Sequence, residues 1–262
     1  TRLYLNRTLQ ESRSKRKITT PRTMAPAARR RWPKLLLLVL VVASVVYYFK
    51  PSEDDADSAS SRLEEKHQHR GLLTPFKRGK PSSITVGKAQ EAVLQGGNPW
   101  YDIAKRGNVG IGKAVVDVDA PTAIVWKQLL EFGKYPEKVP RVSKCEVYKR
   151  EKSRKSERIL VHFVSPVVPG YKFQYFCDHT YEPAKGSITW SLDYDRRSDF
   201  EDVQGHWHVE EHPTDEGRSR VFYEVQLMVP KYVPKIIVDI LTTKAIKDAT
   251  GWVKKYSELA NK

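Results

Sequence analysis

The chain has 262 residues, 46 Lys and Arg against 31 Asp and Glu, 40% hydrophobic residues and 2 cysteines. That apolar content excludes a wholly disordered chain, and so few cysteines exclude a disulfide framework or an all-thiolate zinc site. The formal charge of +15 lies mostly in residues 1–50, which carry 12 basic and 1 acidic side chains; residues 108–262 carry 25 and 22, too balanced to neutralise phosphate, so no nucleic-acid partner is expected.

Residues 1–34 read as a disordered basic arm. Leu35 to Phe49, LLLLVLVVASVVYYF, is an uncharged run between Lys34 and Lys50. At a 1.5 Å rise it spans ~22 Å, against a hydrocarbon core of ~30 Å. Snorkelling lysines and local thinning close that gap, with Tyr47, Tyr48 and Phe49 at the interface. A transmembrane signal anchor over 35–49 is the leading expectation. A cleaved signal peptide also fits, with Val41-Val42-Ala43 at the cut. A buried core helix fits poorly, because the run has no polar face. Arg29, Arg30, Arg31 and Lys34 precede the run, and Glu53, Asp54, Asp55 and Asp57 follow it. The positive-inside rule then gives a type II single-pass protein with its carboxy-terminal domain on the non-cytosolic side. Met24 opens a conventional leader, so residues 1–23 read either as untranslated or as an Arg-rich targeting peptide.

Residues 50–107 read as a polar linker with a short helix near Lys88–Leu94, broken by Gly96-Gly97-Asn98-Pro99. His67 and His69 are expected to be solvated, with no third ligand near them. Gly107-Asn108-Val109-Gly110-Ile111-Gly112 resembles a phosphate loop only superficially. It precedes a strand, so it reads as a flexible entry to the domain.

Residues 108–262 carry the folded pattern. Lys113–Asp119 reads as a strand, and Pro121 opens a helix over Thr122–Phe132. Gly133-Lys134-Tyr135-Pro136 breaks it, and a second short turn follows. Six β-rich segments then run from about Ser143 to Val229, divided by Pro169-Gly170, Ala184–Gly186, Asp195–Asp199 and Pro213–Gly217. Ile188, Trp190 and Leu192 alternate with polar neighbours, as do Trp207 and Val209, and Tyr223, Val225 and Leu227. One face is therefore expected to be apolar and the other wet. Pro230 and Pro234 open a segment in which apolar residues recur at helical steps from Val233 to Tyr256, which predicts one helix over about 231–258.

The order is strand, two short helices, six strands, long helix. Residues Ala114–Pro121, Val125-Trp126 and Phe132–Pro140 resemble the first strand and helix pair of polyketide cyclase and coenzyme Q-binding members of the START-like, or SRPBCC, superfamily. Trp190–Asp195, Asp199, Gly205–Trp207 and Ala249–Lys255 resemble membrane-anchored algal or protist members. The likeness covers about 110–260. It implies an α+β helix-grip fold: a curved antiparallel sheet of about seven strands around a long C-terminal helix, here following a single N-terminal transmembrane helix.

A sheet gripping a helix leaves a cavity. Phe173, Tyr175, Trp190, Trp207, Tyr223, Leu227, Ile237 and Leu241 are the candidates to line it, either as a filled core or as a site for one hydrophobic molecule. No catalytic residue, cofactor or metal ligand is assigned. His206 and His208 could join His162 or His179 on a metal, but alternation places the pair on the wet face. Asp193, Asp195, Asp199, Glu201 and Asp202 lack the glycine of a calcium loop and read as a solvated hairpin. Cys145 and Cys177 fall two strands apart, ~10 Å, too far for a disulfide. The expected partners are a lipid, isoprenoid quinone or sterol, and a membrane. The expected role is non-catalytic binding; a cyclase/dehydrase-like enzyme is the alternative, and an adaptor whose basic arm meets anionic lipid is a third.

Overall fold

The computed structural model describes residues 64–168 and 171–262. The basic arm, the apolar run 35–49 and the Pro169-Gly170 turn lie outside the described residues. Among the described residues no helix is long and apolar enough to cross a membrane.

Eight antiparallel strands form one open sheet. They are β1 (Trp100–Arg106), β2 (Val109–Val118), β3 (Lys144–Lys152), β4 (Glu157–Val168), β5 (Tyr171–Glu182), β6 (Ser187–Leu192), β7 (Asp202–Glu211) and β8 (Ser219–Met228). Their spatial order is β1-β2-β8-β7-β6-β5-β4-β3. From β3 to β8 each strand pairs with the next in the chain, as short turns dictate. Only the β2–β8 pairing joins distant segments, with Val115 opposite Phe222.

Four α-helices are present among the described residues: α1 (Lys88–Gln95), α2 (Thr122–Leu130), the single turn α3 (Tyr135–Lys138) and α4 (Lys235–Ala260). Pro121 stands immediately before α2 and Pro234 before α4. The long helix crosses the concave face of the sheet. Its closest approach is to β2, where a Cβ on Gly112 would lie 2.1 Å from the Ile246 side chain. The glycines of the GNVGIG segment therefore seat a helix rather than a phosphate. The same segment holds the tight turn between β1 and β2, with Gly107 at φ +61°.

Two expectations need correction. The sheet has eight strands rather than about seven, because Trp100–Arg106 pairs along its whole length with β2. Asp102, Lys105 and Arg106 tolerate that position because β1 is an edge strand with a half-open face. The outer face of the sheet is also not wet. The polar segment 64–99 crosses it as a strap, and Leu94 packs there against Val115 and Phe222.

The strap is held mainly by polar contacts. Leu72 and Leu73 donate backbone N–H groups to Asp202 Oδ2 at 2.6 and 2.7 Å. Ser82 and Ser83 donate to Glu224. Glu91 accepts from Arg220, which also pairs with Asp117 at 2.7 Å.

The strap reverses several expected exposures. His206 and His208 are buried; His206 stacks on Phe76 at 5.8 Å and lies 3.1 Å from the Ser187 hydroxyl. His67 is half-buried, with Nε2 2.9 Å from the Glu201 carbonyl oxygen. Two residues of the acidic hairpin, Asp193 and Asp202, are buried acceptors. Asp202 is fully buried and also accepts from the Tyr194 hydroxyl, while Asp193 accepts from the Tyr148 hydroxyl at 2.6 Å.

Candidate functional site

Side chains alternate along each strand, so the inward positions of β4 to β8 converge beneath α4. They do not fill the space. A cavity of about 220 Å³ remains between the sheet, the middle of α4 and the α2–α3 corner.

Six of the eight sequence candidates line it: Tyr175, Trp190, Trp207, Tyr223, Leu227 and Leu241. The other two are packed beside it. Phe173 is 1% exposed and stacks on Phe200 at 4.5 Å, so Phe200 presents a ring to the cavity instead. Ile237 is buried in the first turn of α4. Sequence reasoning missed Phe132, Tyr135, Phe163, Cys177, His179 and Trp252 in the lining. A signal existed for three of them: Cys177 and His179 continue the two-residue step of Phe173 and Tyr175. Trp252 likewise continues the helical spacing that contains Leu241.

The walls are aromatic and mutually supporting. Trp207 and Tyr223 lie 4.3 Å apart, Phe163 stacks on Tyr175 at 5.1 Å, and Tyr135 meets Trp252 at 4.9 Å. Polar groups are few and mostly engaged. The Tyr135 hydroxyl donates to the Leu129 carbonyl at 2.6 Å. The Ser165 and Tyr175 hydroxyls lie 3.3 Å apart. Charge is confined to Arg141 and Asp248, where Arg141 Nε donates to Asp248 Oδ2 at 2.8 Å. Arg141 adopts a left-handed backbone, φ 63°, which turns the α3–β3 loop toward the helix.

Burial sets the chemistry of the wall. It pushes the Cys177 thiol and the Tyr175 and Tyr223 hydroxyls well above their ordinary values. A thiol so raised is a poor nucleophile. Burial lowers His179 to about 4, against the hydrogen bond from its Nδ1 to the Ile159 carbonyl, 3.2 Å away. The imidazole is therefore neutral at physiological pH, and the lining beneath the Arg141–Asp248 pair carries no charge. Such a cavity favours an uncharged guest, since a charged one would lose hydration without a partner. Because the folded pKa lies below the unfolded one, this histidine favours the folded state fully above ~6.5. That preference is lost as pH falls toward 4. NMR titration is expected to show the His179 ring unprotonated at pH 5.5, where a solvent-exposed imidazole is already mostly charged; a midpoint near 6.5 would refute the burial argument.

The four histidines that could have shared a metal are not brought together. His162 stacks on Phe176 on the outer face at 4.4 Å, whereas His179 points into the cavity. No group of three or more His, Cys, Asp or Glu residues suited to a metal exists among the described residues. Cys145 and Cys177 are both free and buried.

An open antiparallel sheet closed over a C-terminal helix, with an apolar hollow between them, defines a helix-grip domain. A family model described as polyketide cyclase / dehydrase and lipid transport matches residues 118–246. It begins at the end of β2 and stops within α4, so the strap and β1 lie outside it. No curated protein matches the chain.

Similar solved structures include the Zhui aromatase/cyclase from Streptomyces sp. R1128, at 16% identity over 57% of this chain and 94% of that one, with a TM-score of 0.47. A START superfamily protein from Mycobacterium smegmatis is 17% identical over 57% and 98%, with a TM-score of 0.44. A STAR-related lipid transfer protein from Xanthomonas axonopodis is 15% identical over 60% and 98%, with a TM-score of 0.45.

Proposed function

We propose that this domain binds one uncharged hydrophobic molecule, a lipid, isoprenoid quinone or sterol, without covalent chemistry. The observation that carries this reading is the aromatic cavity between sheet and helix, whose thiol and histidine are both kept neutral by burial. Lipid transport in the description of the matching family supports it. The run 35–49 anchors the chain in a membrane, with the domain on the non-cytosolic side, and keeps the cavity near a source of its ligand. The test is organic extraction of protein purified from its native membrane, followed by mass spectrometry. One recurrent apolar compound at about one per chain is the expected result. Protein that is empty as isolated and takes up no quinone, sterol or fatty acid probe would overturn the reading.

Cyclase or dehydrase action on an apolar substrate is the second reading. The same family description favours it, as does a histidine placed in the cavity wall. Turnover of the extracted compound that disappears in His179→Phe, while binding persists, would select it.

A further inference from the structure

The domain exposes few large apolar side chains, and the two most exposed stand together. Tyr232 is 73% exposed and Ile236 60%. They are four residues apart, Tyr232 in the link from β8 and Ile236 in the first turn of α4. Their neighbours Val233, Ile237 and Val238 are buried on the opposite side, so the stretch has one face in the core and one in solvent. Lys231 and Lys235 are exposed on the same stretch, and neither has an ion-pair partner among the described residues. Pro230 and Pro234 limit the backbone freedom of the link.

We propose that this patch is the surface on which the domain docks to an anionic lipid bilayer. Tyr232 and Ile236 enter the boundary between headgroups and acyl chains, and Lys231 and Lys235 rest on the phosphates. Two side chains are far short of the ~800 Å² per partner that a stable protein interface buries. A bilayer demands no such shape match. A tyrosine suits its interface, and lysines between the apolar residues suit acidic headgroups. The nearest carboxylate on the helix, Asp239, is already engaged by Lys105 at 2.6 Å, so the free charge of the patch is positive. Leu241 and Thr242, one to two turns further along α4, line the cavity. Docking would therefore bring a cavity wall to the membrane. The proposal builds on the cavity reading for its purpose, but docking is measured independently of cavity occupancy, so either can fail alone.

The test uses the full chain reconstituted with vesicles of phosphatidylcholine, with or without phosphatidylserine. An environment-sensitive thiol dye is placed at Ile236→Cys; Cys145 and Cys177 are buried and escape labelling. The expected result is blue-shifted emission, quenched by a lipid-borne quencher, on vesicles containing phosphatidylserine. Lys231→Glu with Lys235→Glu should lower the docking equilibrium constant by about fivefold or more per lysine. Leu259→Cys, about 35 Å away at the other end of α4, should leave the same dye in water. All these positions are exposed, so the variants retain the core. Equal dye responses at both positions, or no effect of charge reversal, would overturn the proposal. A response without vesicles that rises with protein concentration would overturn it too, assigning the patch to a second copy of the chain.

Discussion

Glu224→Ala is expected to lower the stability of the domain by about 3–5 kcal/mol and to release the strap from the sheet. Glu224 is 2% exposed on the outer face of β8. It accepts from the Ser82 hydroxyl at 2.8 Å, the Ser83 backbone N–H at 3.0 Å and the Ser83 hydroxyl at 2.6 Å. His206 Nδ1 lies 3.7 Å away. Removing the carboxylate takes away three charge-assisted hydrogen bonds at once, each stronger than a neutral one, and with them the tie between Ser82-Ser83 and the sheet. A lowered denaturant midpoint, with new proteolytic cleavage between residues 74 and 83, would show both effects. An unchanged midpoint and an intact strap would refute the assignment.

The same carboxylate gives a pH dependence. Burial pushes Glu224 upward, but the neighbouring His206 imidazole and hydrogen bonds from Ser83 and Ser82 outweigh it and hold the group at about 2. The folded value lies below the unfolded one, so its stabilisation is complete above ~4.5 and declines as pH falls toward 2. Glu224→Gln keeps the shape but not the charge. Its stability should be lower at neutral pH and flatter through that acid window.

Gly205→Ala is expected to deform the cavity. Gly205 on β7 stands opposite Trp190 on β6, and the indole lies across the space where a side chain would be. An added Cβ would fall 1.9 Å from Trp190 Cζ2 and 2.1 Å from Cε2. One of the two must move, and the ring is part of the lining, close to His179 and Tyr223. The expected cost is about 1–3 kcal/mol of overpacking. Retention of the extracted ligand should weaken at least tenfold, equivalent to ~1.4 kcal/mol. Adding Trp190→Leu should recover much of the stability but not the ligand, a coupling that a double-mutant cycle would expose. Wild-type loading in the single variant would mean that the guest does not touch this wall.

Much of this architecture is legible in the sequence, and the failures share a cause. Alternation such as Ile188, Trp190, Leu192 marks an inward face without reference to what covers it, and Pro121 and Pro234 punctuate the helices. The helix expected over about 231–258 appears as Lys235–Ala260. The outer face was less legible. Periodicity detects burial against apolar partners, whereas the strap attaches to Asp202, Glu224 and Arg220 through polar contacts that leave no hydrophobic stripe. The histidines and aspartates beneath it therefore look solvated. β1 escapes for a related reason: WYDIAKR carries three charges in seven residues and gains its place from pairing with β2. In the cavity, the strand period pointed to the right face. It could not separate Phe173, which supports Phe200, from Phe200 itself, which lies in a loop.

The β2–β8 pairing also has a consequence for biosynthesis. At ~5–20 residues per second on a ribosome, β8 emerges roughly five to twenty seconds after the β1–β2 hairpin. During that interval the oily edge of β2, Ala114 to Val118, has no neighbour and is a natural substrate for chaperones. The domain closes only near the end of translation, when the last strand and its helix arrive together. A premature stop anywhere before residue 219 would release a chain unable to complete its sheet.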